Sequence, residues 1–581
     1  MNSPTPPSDT TGSDTTGSHA AAPKAVVIGA GIAGLATASL LADEGYHVEV
    51  FEKNSEPGGR AGLLEDADHP GFRWDTGPSW YLMPEAYDNF FALAGTSTDE
   101  QLDLRRLEPG YRVFPQGDAP IDVEAEPQRV KELFDSIEAG AGEKVASYLE
   151  EARRIYDLSV ESFLYTTFTS LASFKAIRDL PTLGNLLKNL VTSLSSHVAK
   201  RFEDVRLRQV LSYPAVFLSG RPETTPALYQ LMSYTDLVQG VQYPAGGFTA
   251  VVDALYRLAE QRGVRFHFNA EVTAVETTPL HATDLVGKVR ARLGGQRARA
   301  VGIGVRTGGD AGNGAGNGAG NGAGDDTGVR HVPADVVVSC ADVHHTETAL
   351  LPKRLRSHSE GWWRRRNPGI GTVLVMLGVR GELPELSHHN LLFSKDWTPD
   401  FDQVFEQHGQ PDGRSHSIYV SKPSQSDASV APDGHENLFM LIPVAPDPTI
   451  GHGSAYRAVA SDTVEKIADA AVDQLAAWAG IPDLKDRIVA RHTVGPADFE
   501  GRYHSWSGGA LGPAHTLRQS AFLRGKNVAS KVPNLLYAGA TTVPGVGVPM
   551  CLISAENVIK RLRGDSSPAP LAELTQPGKD S

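Results

Sequence analysis

A chain of 581 residues is well beyond the roughly 250–300 residues at which a single hydrophobic core stops growing, so two or more packed units are expected. Hydrophobic residues at 40% and charged residues at 21% are ordinary globular values, which argue against wholesale disorder and against a polytopic membrane protein. A net charge of -15 works against attraction to nucleic-acid phosphate and removes nucleic acid as a partner.

The two cysteines, Cys340 and Cys551, lie far apart in the sequence, each in an apolar run. They read as packing residues rather than as a disulfide or metal site, so redox chemistry is expected from a bound cofactor, and a reducing cytoplasm fits. Residues 1–22, rich in Ser, Thr, Gly and Pro, have neither a basic start nor an apolar core and read as a disordered leader. Residues 566–581 read as a disordered tail. No uncharged apolar run reaches the roughly 18 to 20 residues that a spanning helix needs.

From Lys24 the pattern is strand (Ala25 to Ile28), glycine turn, helix (Leu35 to Glu44) and strand (His47 to Glu52), a βαβ unit. Helical periodicity then dominates to about Asp236, as in Tyr148 to Val160 and Leu183 to Leu194. Strand patterns return at Val264 to Phe268, Glu271 to Val275, Ala300 to Val305 and Asp335 to Cys340. The last two bracket a Gly-Asn-Gly-Ala tract at 308–328, read as the loop of a hairpin. Strands are expected at Thr372 to Leu377 and Leu438 to Pro443, a helix from Ser461 to Trp478, and a strand, Gly/Pro turn and helix between Asn534 and Arg563. The fold class is α/β, a Rossmann-like dinucleotide domain with an interleaved α+β domain and a mostly helical, membrane-facing region. Residues 23–100, 241–350 and 490–565 are assigned to the first domain, and 101–240 and 351–489 to the second.

The turn Gly29-Ala30-Gly31-Ile32-Ala33-Gly34 is G-x-G-x-x-G between a strand and a helix, the context in which that pattern carries weight. Its glycines allow a tight turn, close approach to a pyrophosphate and close helix packing, and the helix start attracts negative charge. Glu52 closes the second strand, near the roughly 20-residue offset at which a carboxylate meets the ribose hydroxyls. Together these point to FAD or NAD. No second such motif and no C-x-x-C occurs. His344-His345 and His388-His389 read as surface or loop residues rather than as metal ligands.

The run Glu52-Lys53-Asn54-Ser55-Glu56-Pro57-Gly58-Gly59-Arg60 resembles the stretch that follows the ribose carboxylate in the FAD-dependent amine oxidase and carotenoid desaturase superfamily. Further blocks narrow the resemblance to the bacterial and fungal phytoene desaturases: Trp74 to Ser79, Pro226 to Met232, Gly240 to Phe248, Ala334 to Asp342 and Gly539 to Ser554. The likeness runs from about Lys24 to about Arg563. It implies FAD as cofactor, with Lys53 and Gly59 close to it and the Arg60 guanidinium able to donate to its phosphate. It also implies Gly77, Pro78 and Ser79 beside the flavin, Val272 at the adenine, and Gly539, Ala540, Gly547, Val548 and Pro549 completing the site.

The implied reaction is carbon-carbon dehydrogenation of phytoene towards lycopene: hydride goes to flavin, a proton leaves the adjacent carbon, and oxygen or a quinone reoxidises the cofactor. The sequence assigns neither a catalytic base nor an oligomeric state. A carotenoid ketolase or isomerase, or an amine oxidase with Trp506 and Tyr537 in an aromatic cage, is the alternative. A long isoprenoid substrate implies peripheral contact with a membrane. Phe163 to Phe202 carries an apolar stripe at helical spacing, and within it Lys175, Arg178, Lys188, Lys200 and Arg201 outnumber the one acid Asp179. Such a stripe lies on anionic lipid or packs onto the core.

Overall fold

The computed structural model describes residues 22–168, 184, 188–280, 295–307, 328–407, 412–572 and 574. A five-stranded sheet, entirely parallel, runs in the order Leu535–Tyr537, Val336–Ser339, Lys24–Ile28, His47–Phe51, Arg265–His267. Two of its inner strands are almost wholly buried, Ala25 to Ile28 as Ala-Val-Val-Ile and Val336 to Ser339 as Val-Val-Val-Ser, because both faces are covered. On one side the helix Ile32–Asp43 packs between Phe248–Gln261 and Val548–Arg563, and nearly every residue of Ile32–Asp43 is buried. That position explains its composition: alanine, glycine and leucine all round, with no polar face. On the other side lies a three-stranded antiparallel sheet, Ala270–Pro279, Ala298–Thr307 and Val329–Pro333.

The second unit is built on a seven-stranded sheet, ordered Ile488–Val494, Gly371–Arg380, His435–Val444, Ile418–Ser421, His389–Phe393, Tyr111–Pro115, Ile121–Val123. It is antiparallel except where His389–Phe393 runs parallel to Tyr111–Pro115. The helix Asp462–Ala479 covers one face, and Ala141–Ser159 and Val205–Ser212 belong to the core on the other. The mixed α/β architecture, with segments of the two units alternating along the chain, follows the sequence reading.

Three expectations change. The tract at 308–328 does not lead into the strand at 336. It joins Ala298–Thr307 to Val329–Pro333, a strand that the sequence reading passed over because Arg, His and Pro interrupt its pattern, and Val336–Ser339 belongs to the parallel sheet. Among the described residues the mostly helical stretch up to 236 contains five strands, Leu63–Glu65, Arg73–Asp75, Leu104–Arg106, Tyr111–Pro115 and Ile121–Val123, too short to show a period. The division at 489/490 cuts the edge strand Ile488–Val494, which pairs with Gly371–Arg380 and places the sheet boundary after it.

Residues 1–21, the tract at 308–327 and most of the tail's end lie outside the described residues, as does the centre of the stripe at 163–202, including Leu171, Phe174, Leu183, Leu186 and Leu187. Of its described members, Leu194 is 1% exposed and Val191 72%. Phe163, Leu164, Phe168 and Leu190 face a cavity. Among the described residues no helix is long and apolar enough to cross a membrane.

Candidate functional site

A cavity of about 690 Å³ begins at the glycine turn and reaches the seven-stranded sheet, a size typical of cofactor and ligand sites. Gly29 leaves the first strand at φ +94°, and its amide donates to the Phe51 carbonyl at 2.8 Å. A Cβ on Gly34 would stand 1.9 Å from the Gly29 carbonyl oxygen, so only glycine lets the helix close onto the turn. A Cβ on Gly31 would meet nothing nearer than 3.7 Å, which leaves the space before that amide open to the cavity. The first constraint comes from packing within the protein, and the second leaves room for a ligand.

Glu52 is buried at the end of the second strand. One carboxylate oxygen accepts the Ala30 amide at 2.8 Å, and the other accepts the Asn54 amide and Nδ2 at 2.8 and 2.9 Å. The Gly58 amide donates to the Ala30 carbonyl at 2.9 Å, holding the Gly58-Gly59 turn against the first glycine turn. Both glycines have positive φ, 106° and 59°. Arg60 Nη1 donates to the carbonyls of Ala510 and Leu511 at 3.1 and 2.8 Å, tying the turn to the C-terminal loop. The Lys53 ammonium donates to the Gly501 carbonyl, and burial holds its pKa below the ordinary lysine value.

The remaining expected residues converge on the same space. Gly77 sits where a Cβ would be 2.0 Å from the Arg60 carbonyl oxygen, and Pro78 and Ser79 carry the chain along the cavity wall. Val272 faces it from the three-stranded sheet. Opposite, Gly539 donates its amide to Ser554 Oγ at 2.8 Å, Ala540 follows, and Gly547 at φ +120° starts the helix through Val548 and Pro549. Of the residues singled out from the sequence, all line the cavity except Ala30, Gly34 and Gly59, which stand behind its wall and shape it. Glycine backbone, a helix N-terminus and a carboxylate gathered at one end fit the phosphates and ribose of a dinucleotide.

The two cysteines, remote in sequence, both reach the cavity wall, and burial pushes their thiols up to about 12 for Cys340 and about 11 for Cys551. They are inert thiols at neutral pH. Among the described residues no group of three or more His, Cys, Asp and Glu is placed to hold a metal ion.

The far half of the cavity was not visible in the sequence. Trp80, Tyr213, Phe217, Phe393, Tyr419 and Phe439 meet there from widely separated segments. Trp80 lies at the centre, its ring stacked on His389 at 4.5 Å and within 5.3 Å of both Tyr111 and Phe217. The histidine pairs are therefore not surface residues. His388 and His389 are 3% and 0% exposed at the start of an inner strand, while His345 stacks on His504 at 3.8 Å on the cavity wall. The aromatic pair considered for an amine oxidase cage is elsewhere: Trp506 packs on His344 and Trp363, Tyr537 is buried beside Glu347, and neither lines the cavity.

Known proteins share this chain over most of its length. It is 38% identical to a carotenoid 3,4-desaturase of Haloarcula japonica over 93% of this chain and 98% of that one. The chain belongs to the phytoene (carotenoid) desaturase family. Within the same family, it is 31% identical to a zeta-carotene-forming phytoene desaturase of Myxococcus xanthus, over 92% and 93% of the two chains. The model of flavin-containing amine oxidoreductases matches residues 32–301 of this desaturase-family chain. Solved structures share the fold at low identity. An oxidoreductase from Methanosarcina mazei superposes with a TM-score of 0.55 at 16% identity over 92% of this chain and all of that one. Putrescine oxidase bound to putrescine gives 0.53 at 14% identity, over 93% and 99%.

Proposed function

We propose that this protein is an FAD-dependent oxidoreductase that introduces conjugated double bonds into an acyclic carotenoid, with phytoene as the first substrate to test. The observation that carries this reading is the continuity of one cavity from the glycine cradle to a wall of aromatic side chains. A dinucleotide held at the cradle end would leave the aromatic end of the same cavity for a long apolar polyene. The family relationship favours the carotenoid substrate over the amine oxidase, ketolase and isomerase alternatives.

In this reading Gly29, Gly31, Glu52 and the Val548–Arg563 helix start hold FAD, with Gly77, Pro78 and Ser79 along it. When bound, FAD supplies the hydride acceptor, the part of the chemistry that no side chain provides. The protein's share is to align the polyene, exclude water and take up a proton. Trp80, Phe217, Phe393 and Phe439 bound the substrate with apolar surface. Oxygen or a quinone is the terminal electron acceptor, and a peripheral lipid contact supplies a substrate that water does not dissolve.

The test is pigment analysis of phytoene-accumulating cells expressing the chain, with a parallel culture that supplies lycopene. A longer-wavelength polyene in either culture is the expected result. Unchanged carotenoids in both, or oxygenated products without new conjugation, would overturn the reading.

A further inference from the structure

Desaturation removes two hydrogens in different forms. One C–H bond gives up its pair with a hydride, to oxidised FAD. The neighbouring C–H bond loses only a proton, and its pair becomes the new π bond. The proton needs an acceptor in the cavity wall, and among the described lining residues at the aromatic end the one Asp, Glu or Lys is Asp400, whose carboxylate accepts the Ser394 and Ser417 hydroxyls and the His416 and Ser417 amides.

A chain of three polar side chains does cross that wall. Ser79 Oγ lies 2.6 Å from the Tyr419 hydroxyl, and the same hydroxyl lies 2.7 Å from His389 Nδ1. Ser79 and Tyr419 line the cavity, and His389 is fully buried behind them. Ser79 follows the Gly77-Pro78 segment that packs on Arg60, whereas Tyr419 and His389 sit on paired strands of the seven-stranded sheet. The contact therefore joins the cofactor end of the cavity to the substrate end. The His389 ring lies flat on Trp80, 4.5 Å between centroids at 13°, where an imidazolium would gain cation–π stabilisation. Its Nε2 is buried with no hydrogen-bond partner among the described residues. Burial holds this imidazole well below the ordinary histidine value, first by desolvation and then through His388, so it waits as a neutral acceptor.

We propose that Ser79, Tyr419 and His389 form the proton relay of desaturation, with Ser79 Oγ as the group that touches the substrate. The proposal rests on the desaturase reading. As the substrate proton reaches Ser79 Oγ, the serine proton moves to the Tyr419 oxygen and the tyrosine proton to His389 Nδ1. Serine and tyrosine end neutral, and one imidazolium remains on Trp80. A neutral buried imidazole suffices, because a C–H bond next to a carbon that is losing hydride is strongly acidic. After product leaves, the proton returns along the same chain to water that enters the emptied cavity at Ser79 Oγ. This polarity requires His389 in the tautomer with hydrogen on Nε2 and Nδ1 free to accept.

The test uses the full-length, FAD-loaded enzyme. Tyr419→Phe and Ser79→Ala, each reconstituted to the FAD occupancy of the wild type, should lower kcat per bound flavin for desaturation by about a hundred-fold, the usual contribution of general base catalysis. Ring ¹⁵N NMR should show His389 Nδ1 unprotonated in the wild type, with its signal shifted in Tyr419→Phe. Near-wild-type kcat in both variants overturns the relay, as does a protonated Nδ1, which reverses its direction. If Tyr419→Phe sheds flavin, Ser79→Ala and the NMR tautomer decide. A wild-type enzyme that desaturates nothing refutes the underlying reading, a result distinct from active variants.

Discussion

Glu52 accepts the amide hydrogen of Ala30 at 2.8 Å, so the end of the second strand is fastened to the glycine turn that follows the first. The carboxylate thus shapes the cradle as well as presenting charge to it. Charge-assisted hydrogen bonds of this kind contribute about 1.5–3 kcal/mol. Glu52→Ala should therefore weaken FAD retention by about ten- to a hundred-fold, and Glu52→Gln, which keeps one acceptor, by less. Equilibrium dialysis against free FAD measures both, and equal retention in wild type and Glu52→Ala would remove Glu52 from the site.

The cradle was legible in the sequence because its parts are local. Gly29 to Gly34 and Glu52 belong to one βαβ unit, and their spacing is dictated by the turn and the helix length. The Gly539 to Pro549 side became readable only through family resemblance, since nothing in the spacing says that residues 500 positions apart share a sheet. The aromatic half was hidden for the same reason. Trp80, Tyr213 and Tyr419 are ordinary core residues in their own segments and become a wall only when the sheet forms. His388-His389 misled because a polar pair suggests exposure, while the strand that they open is covered on both faces.

Asp236 gives a dependence of stability on pH. Its Oδ2 accepts the hydroxyls of Tyr213 at 2.8 Å and Tyr111 at 3.1 Å, while Oδ1 is buried with no partner among the described residues. Burial raises the carboxyl to about 7, and the two tyrosine bonds offset only part of that. Between the unfolded value near 4 and about 7, the folded protein holds a proton that the unfolded chain has released. The stabilisation from that proton is complete below the unfolded value and is lost as pH rises through the folded one. Asp236→Asn, neutral throughout, should gain in Tm relative to wild type as pH goes from 5 to 8. A difference that stays constant across that range would show that Asp236 is ionised in both states.

The proposed lipid contact is testable at a place that the sequence did not suggest. Leu517 and Leu523 are 40% and 41% exposed on either side of Ala521, which lines the cavity, so this segment joins the cavity wall to the outer surface. Basic groups gather beside it: Arg366 donates to the Arg518 carbonyl, Arg365 is close enough to depress Arg366, and Lys526 is exposed three residues beyond Leu523. In a chain of net charge -15, such a local excess of positive charge next to apolar side chains suits an anionic lipid surface. Wild-type protein should co-sediment with anionic vesicles and release them at high salt. Leu517→Asp with Leu523→Asp should abolish sedimentation while leaving flavin content intact. Val191→Asp serves as the comparison, because Val191 is an exposed member of the 163–202 stripe among the described residues. If the leucine pair binds vesicles like wild type and Val191→Asp does not, the lipid contact belongs to the 163–202 segment instead.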